Sequence, residues 1–346
     1  MRRFDALVGT GGIGTGIVLE LDGDATLGRE ESRAARQLDR RDYAKLHIIG
    51  HYVQRLLGPR FGVYPIGCVG ADAAGTALRR QLADEGLDLR FVRSSAARPT
   101  LFAVSFVYPD GEGGNITSLA ASATVGVEDV TASVPVLQQF GRRGIALAVP
   151  EVPLTARIAL LDAATQHGLL RAASLSSGEI RDGALAAFLP RTDLLAINQD
   201  EAAAVLGRDA GDPRATALAA ITELRDRAPD LQIVVTAGRH GGWSADAHDV
   251  GHAPALPVRP VSTAGAGDAH LAGLLVALTA GVDLHEANRF ATVVSALKVR
   301  SPHTINDEIT AAAVLDAAHE WAVPVPPALT ELLREVSPLP TPTGVE

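Results

Sequence analysis

Residues 262–273 read Ser-Thr-Ala-Gly-Ala-Gly-Asp-Ala-His-Leu-Ala-Gly, a run of small residues followed by one carboxylate, Asp268, where an apolar helix is predicted over 269–280. The first N–H groups of a helix have no partner inside it and stand at the positive end of its dipole. An anion held by residues 264–267 is therefore stabilised as its charge grows. Asp268 faces the same point. A carboxylate within hydrogen-bond reach of a substrate hydroxyl can take its proton while the oxygen attacks a γ-phosphate, and the loop amides take up the charge on the transferring group. The segment is thus a phosphoryl-transfer site in outline. Taken alone, Asp268 also reads as an ordinary stabilising carboxylate at a helix start.

Two further segments suit phosphate. Asn198-Gln199-Asp200-Glu201 stands where a predicted strand over 194–198 meets a helix over 200–206, at the carboxyl edge where open α/β sheets bind ligands. Asn198 can bond a phosphate oxygen or a metal-bound water, and Glu201 can hold Mg²⁺ through water, since that ion keeps much of its hydration shell. The competing reading is that Asn198 only caps the helix. After the next strand, 231–237, comes Thr236-Ala237-Gly238-Arg239-His240-Gly241-Gly242. Its glycines let the backbone approach a nucleotide, Thr236 offers a hydroxyl and Arg239 can meet phosphate charge, although a plain β-turn fits the same residues. Three phosphate-compatible loops at successive strand ends are harder to dismiss together than singly.

The elements that must position these loops follow from periodicity. Short apolar runs at 144–149, 169–175, 194–198 and 231–237 alternate with amphipathic stretches at 154–166, 200–206 and 213–227, the pattern of βαβ units and a mostly parallel sheet. Helices are predicted over 269–280, 284–299 and 307–321. In the N-terminal third, strand-like runs at 16–21, 101–108 and 115–119, with a Gly-rich turn at 110–115, predict a small β flap over a ligand cleft. The expected organisation is one α/β domain over 1–322, a three-layer α-β-α sandwich whose flap comes from about 16–45 and 98–120. Residues 323–346 are Pro-rich and predict an irregular tail.

Composition bounds the partners. The 346 residues are 47% hydrophobic and 21% charged, enough for a large core, and the formal charge of -9 disfavours nucleic acid and anionic membranes. Cys68 is the single cysteine, so the chain can form no internal disulfide and no cysteine-based zinc site. With no leader pattern or long apolar run, a cytoplasmic location and small-molecule ligands are the expectation.

In order and spacing, these motifs resemble the ribokinase-like family of PfkB-type sugar and nucleoside kinases, over about residues 5–320 and most strongly from Glu151 onward. By match, the family's G-A-G-D segment implies an anion hole at Gly265, Ala266 and Gly267, with Asp268 as base. Its N-x-x-E implies Asn198 and Glu201 near phosphate and Mg²⁺. Its T-x-G-x-x-G loop implies Thr236, Gly238 and Gly241 at ATP, with Arg239 and Thr263 beside them. Glu151 matches a position near substrate, residues 68–75 look like the family's strand-to-helix segment, and Pro99-Thr100 opens the flap strand. The resemblance also implies a sugar-like acceptor and, through the flap edges, a homodimer.

The departures lie on the acceptor side. Ser262 stands where members usually have an Asp that helps shape a monovalent-cation site in several of them, and His270 stands where many have Phe. The early G-G-x-G-x-N motif falls near residues 47–52, where only Gly50 survives, and an acceptor-binding Asp expected after Gly9 is replaced around Gly14. Gly14, Gly50, Glu151 and Asp268 are the residues expected at the acceptor. Loss of buried polar contacts can change acceptor choice strongly, so ribose is not the inferred acceptor.

Three signals are set aside. Gly9–Gly14 fits G-x-G-x-x-G, but a strand rather than a helix follows, which argues against a nicotinamide enzyme. His47 and His51 are four apart and would share a helix face, yet no third metal ligand is evident nearby. His270 lies two residues beyond Asp268, about 200° round a helix, and should point away from it. The expectation is an ATP- and Mg²⁺-dependent kinase for a sugar-like hydroxyl; the alternatives are a non-catalytic nucleotide- or metabolite-binding protein of the same fold, and a nucleoside kinase.

Overall fold

The computed structural model describes residues 2–109, 113–208 and 211–336. Part of the turn expected at 110–115 and the end of the Pro-rich segment, including Pro338, Pro340 and Pro342, lie outside these residues. Among the described residues the strands are β1 (Ala6–Thr10), β2 (Gly14–Leu21), β3 (Ala35–Tyr43), β4 (Gly62–Gly70), β5 (Val92–Ser95), β6 (Leu101–Val107), β7 (Gly113–Ser118), β8 (Gly144–Ala148), β9 (Leu170–Ala173), β10 (Leu194–Asn198), β11 (Gln232–Thr236), β12 (Gly242–Ala245) and β13 (Val250–Ala253). Every residue of β1 and β8 is buried, as expected of strands covered on both faces.

They form a 9-stranded sheet in the order β13-β12-β11-β10-β9-β8-β1-β4-β5. It is parallel from β11 to β5, and the β11–β12 and β12–β13 pairs at one edge are antiparallel. Helices cover both faces. On one side, Lys45–Leu57, Ala266–Thr279, Leu284–Val299 and Ala311–Glu320 share a core with β1 and β8; on the other, Leu154–His167 and Pro213–Arg227 pack over the sheet. This is the expected three-layer arrangement. Four more strands make a smaller sheet, β3-β2-β6-β7, with β2 parallel to β6 and both outer pairs antiparallel.

The helix Ala266–Thr279 is apolar on nearly every face, with all residues from Ala269 to Thr279 buried, so it belongs in the interior rather than on the surface. It starts three residues before the predicted onset, which puts Asp268 inside its first turn. The tail also differs from expectation: Pro327–Arg334 is helical. A proline at the first helical position is preorganised for a helix, and Leu329, Leu332 and Leu333 give it a buried stripe. Counting prolines missed that stripe.

Candidate active site

The carboxyl ends of β10 and β11 lie side by side, with Asn198 paired in register with Thr236. Beyond them opens a cavity of about 920 Å³. Asn198, Thr236, Gly238, Arg239, Gly241, Thr263, Gly265, Ala266, Gly267 and Asp268 all border it, so residues spread over 71 positions of sequence meet at one space. Leu256, Val258, Ala296 and Val299 supply an apolar wall.

Its polar floor is the start of the helix Ala266–Thr279. Gly265 precedes the first turn at φ +77°, in the left-handed region, and a Cβ there would come within 2.7 Å of the Thr304 carbonyl oxygen. No side chain caps this helix, and the Ala266 N–H donates to the Thr263 carbonyl at 3.0 Å, which leaves the amides of Gly267 and Asp268 for whatever enters the cavity. At Gly267 a Cβ would meet nothing within 4 Å. That glycine therefore keeps room open rather than relieving a clash.

Asp268 is bonded by the Lys45 ammonium, Nζ to Oδ1 at 3.3 Å. The Lys45 backbone N–H donates in turn to Glu151 Oε2 at 3.0 Å. Asp268 holds the Lys45 ammonium well above its usual range, against burial, with Glu151 and Glu201 adding to the effect. Burial pushes Glu151 up to about 7, opposed chiefly by Lys45. Glu151 also has φ +79°, a left-handed conformation that a non-glycine residue keeps only where its surroundings hold it.

Glu201 lies behind Asn198. The two make a reciprocal cap: Glu201 N–H donates to Asn198 Oδ1 at 2.9 Å, and Asn198 N–H to Glu201 Oε2 at 2.8 Å. The capping reading of Asn198 therefore describes its bonding here, yet the residue also borders the cavity. Burial pushes Glu201 up to about 7.

Gly14 and Gly50 each have a packing role. Gly50 is buried in the helix Lys45–Leu57, where a Cβ would press on Leu87 and Val63. It lets that helix approach the core. A Cβ on Gly14 would collide with Leu101, its partner across the β2–β6 pair, so strand packing accounts for it. Backbone also passes close to a carboxylate at Gly12, against Glu151, and at Gly16, against Asp42.

Sequence reasoning missed Lys45 and Asp42. Asp42 is buried at the end of β3, accepts from the Ser105 hydroxyl at 3.0 Å, and has its pKa raised by burial. It stands in the charge run Asp39-Arg40-Arg41-Asp42, where nothing local separates it from Asp39. Lys45 meets Asp268 across 223 positions of sequence, a relation only folding reveals. His47 and His51 are both buried and turn to Glu85, at 3.2 and 3.1 Å. His270 is 4% exposed, borders the same cavity as Asp268 and bonds Asn288 Oδ1 at 3.0 Å; burial lowers it to about 4, which keeps it neutral.

A family model described as pfkB family carbohydrate kinase matches residues 51–311. The chain belongs to that family. A fructokinase of Klebsiella pneumoniae is 29% identical over 232 residues, 62% of this chain and 70% of its own. In fold, this pfkB-family kinase is similar to a ribokinase of Cryptococcus neoformans var. grubii serotype A in complex with ADP, with TM-score 0.75 and 22% identity over 90% of this chain and 99% of that one. It is likewise similar to a nucleoside kinase of Burkholderia thailandensis in complex with inosine, with TM-score 0.73 and 18% identity over 91% and 98%. The kinase is a phosphotransferase of an ATP-dependent family, acting on a sugar hydroxyl. Among its described residues no helix is long and apolar enough to cross a membrane.

Proposed function

We propose that this kinase transfers the γ-phosphate of ATP to a hydroxyl of a sugar-like acceptor, with Asp268 as general base and the amides of residues 265–267 as the anion hole. The observation that carries this reading is the uncapped start of the helix Ala266–Thr279, with Asp268 in its first turn, at the border of the large cavity. The acceptor oxygen forms a bond to the γ-phosphorus, the bond from phosphorus to the bridging oxygen of ADP breaks, and the acceptor proton passes to Asp268. The apolar wall suits the adenine, and Thr236, Gly238, Arg239, Gly241 and Thr263 suit the phosphates and ribose. Asn198 keeps its Oδ1 in the helix cap, which leaves its amide donors for a phosphate oxygen.

No group of three or more His, Cys, Asp or Glu among the described residues could hold a metal by itself. That suits Mg²⁺, which is held largely by water and nucleotide phosphates with one or two carboxylates. Glu201 fits the carboxylate role, because a nearby cation would relieve the burial that now favours its protonated form. When bound, Mg²⁺ would supply charge neutralisation at the phosphates.

The acceptor is placed between the main sheet and the smaller one, near Glu151, Asp42 and Asp268, with the smaller sheet as its cover. Phe102 and Ile116 are 41% and 65% exposed on that sheet, the surface on which a second copy would pair. Sedimentation of wild type against Ile116→Asp should show a dimer reduced to monomer; a wild-type monomer would refute this assembly.

The decisive assay is ADP release against a panel of sugars, sugar phosphates and nucleosides. One acceptor should stimulate it, and Asp268→Asn should lower kcat by on the order of 10²-fold or more with ADP affinity nearly unchanged. ATP binding with no acceptor-dependent ADP would leave a binding protein instead, and wild-type turnover in Asp268→Asn would remove the base assignment.

A further inference from the structure

Lys298, in the last turn of the helix Leu284–Val299, is completely buried, at 0% exposure. Its Nζ donates to the Ser262 carbonyl at 3.1 Å. Among the described residues no carboxylate lies within 4.0 Å of that ammonium; Asp268 and Asp42 act on it only from farther away, and Arg40 opposes them. Burying a charge without a paired countercharge is costly, and an apolar side chain of similar length would suit the fold better. A role outside packing is therefore needed to explain this lysine.

Its surroundings point to that role. The Val261 and Ser262 N–H groups both donate to the Val299 carbonyl, at 2.7 and 3.2 Å, and Ser301 N–H donates to the Lys298 carbonyl at 2.9 Å. Three residues farther along, the Thr304 carbonyl stands against Gly265. The ammonium thus sits where the irregular segment leading into the turn 262–268 is tied to the end of the helix and to the loop after it. Positive charge held there orients the peptide dipoles of the turn and adds to the potential met by an incoming phosphate.

The resemblance to the PfkB-type kinases implies, in several members, a monovalent-cation site shaped by an acidic residue at the position of Ser262. The residues present here do not fit it: Ser262 brings no carboxylate, and its carbonyl already receives a side-chain ammonium. We propose that Lys298 is a tethered monovalent cation for the turn 262–268, a positioning residue that makes this kinase independent of potassium. Burial lowers this ammonium to about 8, so at neutral pH most molecules carry the charge with no ion to be captured. The inference rests on the reading of the turn as the anion hole.

The test compares wild type with Lys298→Met and Lys298→Gln in potassium, ammonium, sodium and tetramethylammonium chlorides at one ionic strength, reading both kcat and calorimetric ADP affinity. Wild type should vary by less than about twofold among the salts, and both variants should fold. In tetramethylammonium each variant should lose roughly tenfold or more in kcat and bind ADP more weakly, and potassium or ammonium should restore most of both losses. Strong potassium activation of wild type, or variants indifferent to every salt, would overturn the proposal. If no acceptor in the panel gives turnover, the kinase reading fails, while the salt dependence of ADP binding still decides the role of Lys298.

Discussion

Lys45 is the residue on which the charge balance of the site turns. It stands between Asp268, which its ammonium bonds, and Glu151, which its backbone N–H bonds, with Glu201 within electrostatic reach. In the proposed mechanism an entering hydroxyl shares Asp268 with that ammonium, and the cation then lies beside the transferred group. Lys45→Met should therefore lower kcat by on the order of 10²-fold while the KM for ATP moves by less than about threefold. Steady-state kinetics with saturating acceptor checks this, and an unchanged kcat would remove Lys45 from the chemistry. Gly267→Ala is the complementary case. Its new methyl has space in the free protein, so the melting temperature should hold while the KM for ATP rises several-fold. Asp268 and Gly267 were legible in the sequence because motif and helix start coincide within six residues. Lys45, Asp42 and Lys298 were not, because a lone charged residue has no local signature and its partners arrive only through topology.

At the level of elements, strands buried on both faces were the easiest to read. Runs such as Leu194–Asn198 and the helix Pro213–Arg227 are found with their expected bounds, because continuous apolar character and periodic apolar character are distinct patterns. The strand β3 (Ala35–Tyr43) was hidden. Its sequence Ala-Arg-Gln-Leu-Asp-Arg-Arg-Asp-Tyr carries five charged side chains and buries only Leu38 and Asp42, so pairing with β2 rather than propensity makes it a strand. The helix after β10 carries two jobs on one residue, and substitutions can separate them. Glu201→Gln keeps an oxygen for the Asn198 N–H but loses charge, so stability should change by less than about 0.5 kcal/mol while the Mg²⁺ needed for half-maximal rate rises. Glu201→Ala should cost about 1 kcal/mol as well. Denaturant melts beside a magnesium titration check the pair, and an unmoved magnesium midpoint in Glu201→Gln would leave Glu201 only its capping role.

At the scale of the whole molecule, the buried carboxyls make stability depend on pH. Glu151 and Glu201 both rise from an ordinary 4.5 to about 7. These two groups bind more protons in the folded chain than in the unfolded chain between those values and outweigh His270, whose lowering to about 4 acts in the opposite sense, so stability falls as pH rises through that window; above it Lys298, lowered to about 8, turns the slope upward. Melting temperature from pH 5 to 8 without nucleotide should decline, and Glu151→Gln should flatten the decline. A melting temperature that rises across the same range in wild type would contradict this assignment. The layered architecture itself was legible from alternating strands and helices, whereas the burial that shifts these two carboxyls follows from packing between elements far apart in sequence.

Thr304 ties separate parts of the molecule together. Its N–H donates to the Arg41 carbonyl at 3.1 Å, its hydroxyl receives the Tyr43 N–H at 3.0 Å, and its own carbonyl rests against Gly265. A swing of the smaller sheet would be transmitted through one threonine to the turn that precedes the helix Ala266–Thr279. Occupants of the two compartments should then sense each other, and thermodynamic reciprocity requires the effect to be equal in both directions. Calorimetry with acceptor first and ADP second, then in reverse order, should return one and the same enhancement factor, and Thr304→Ala should bring that factor toward unity.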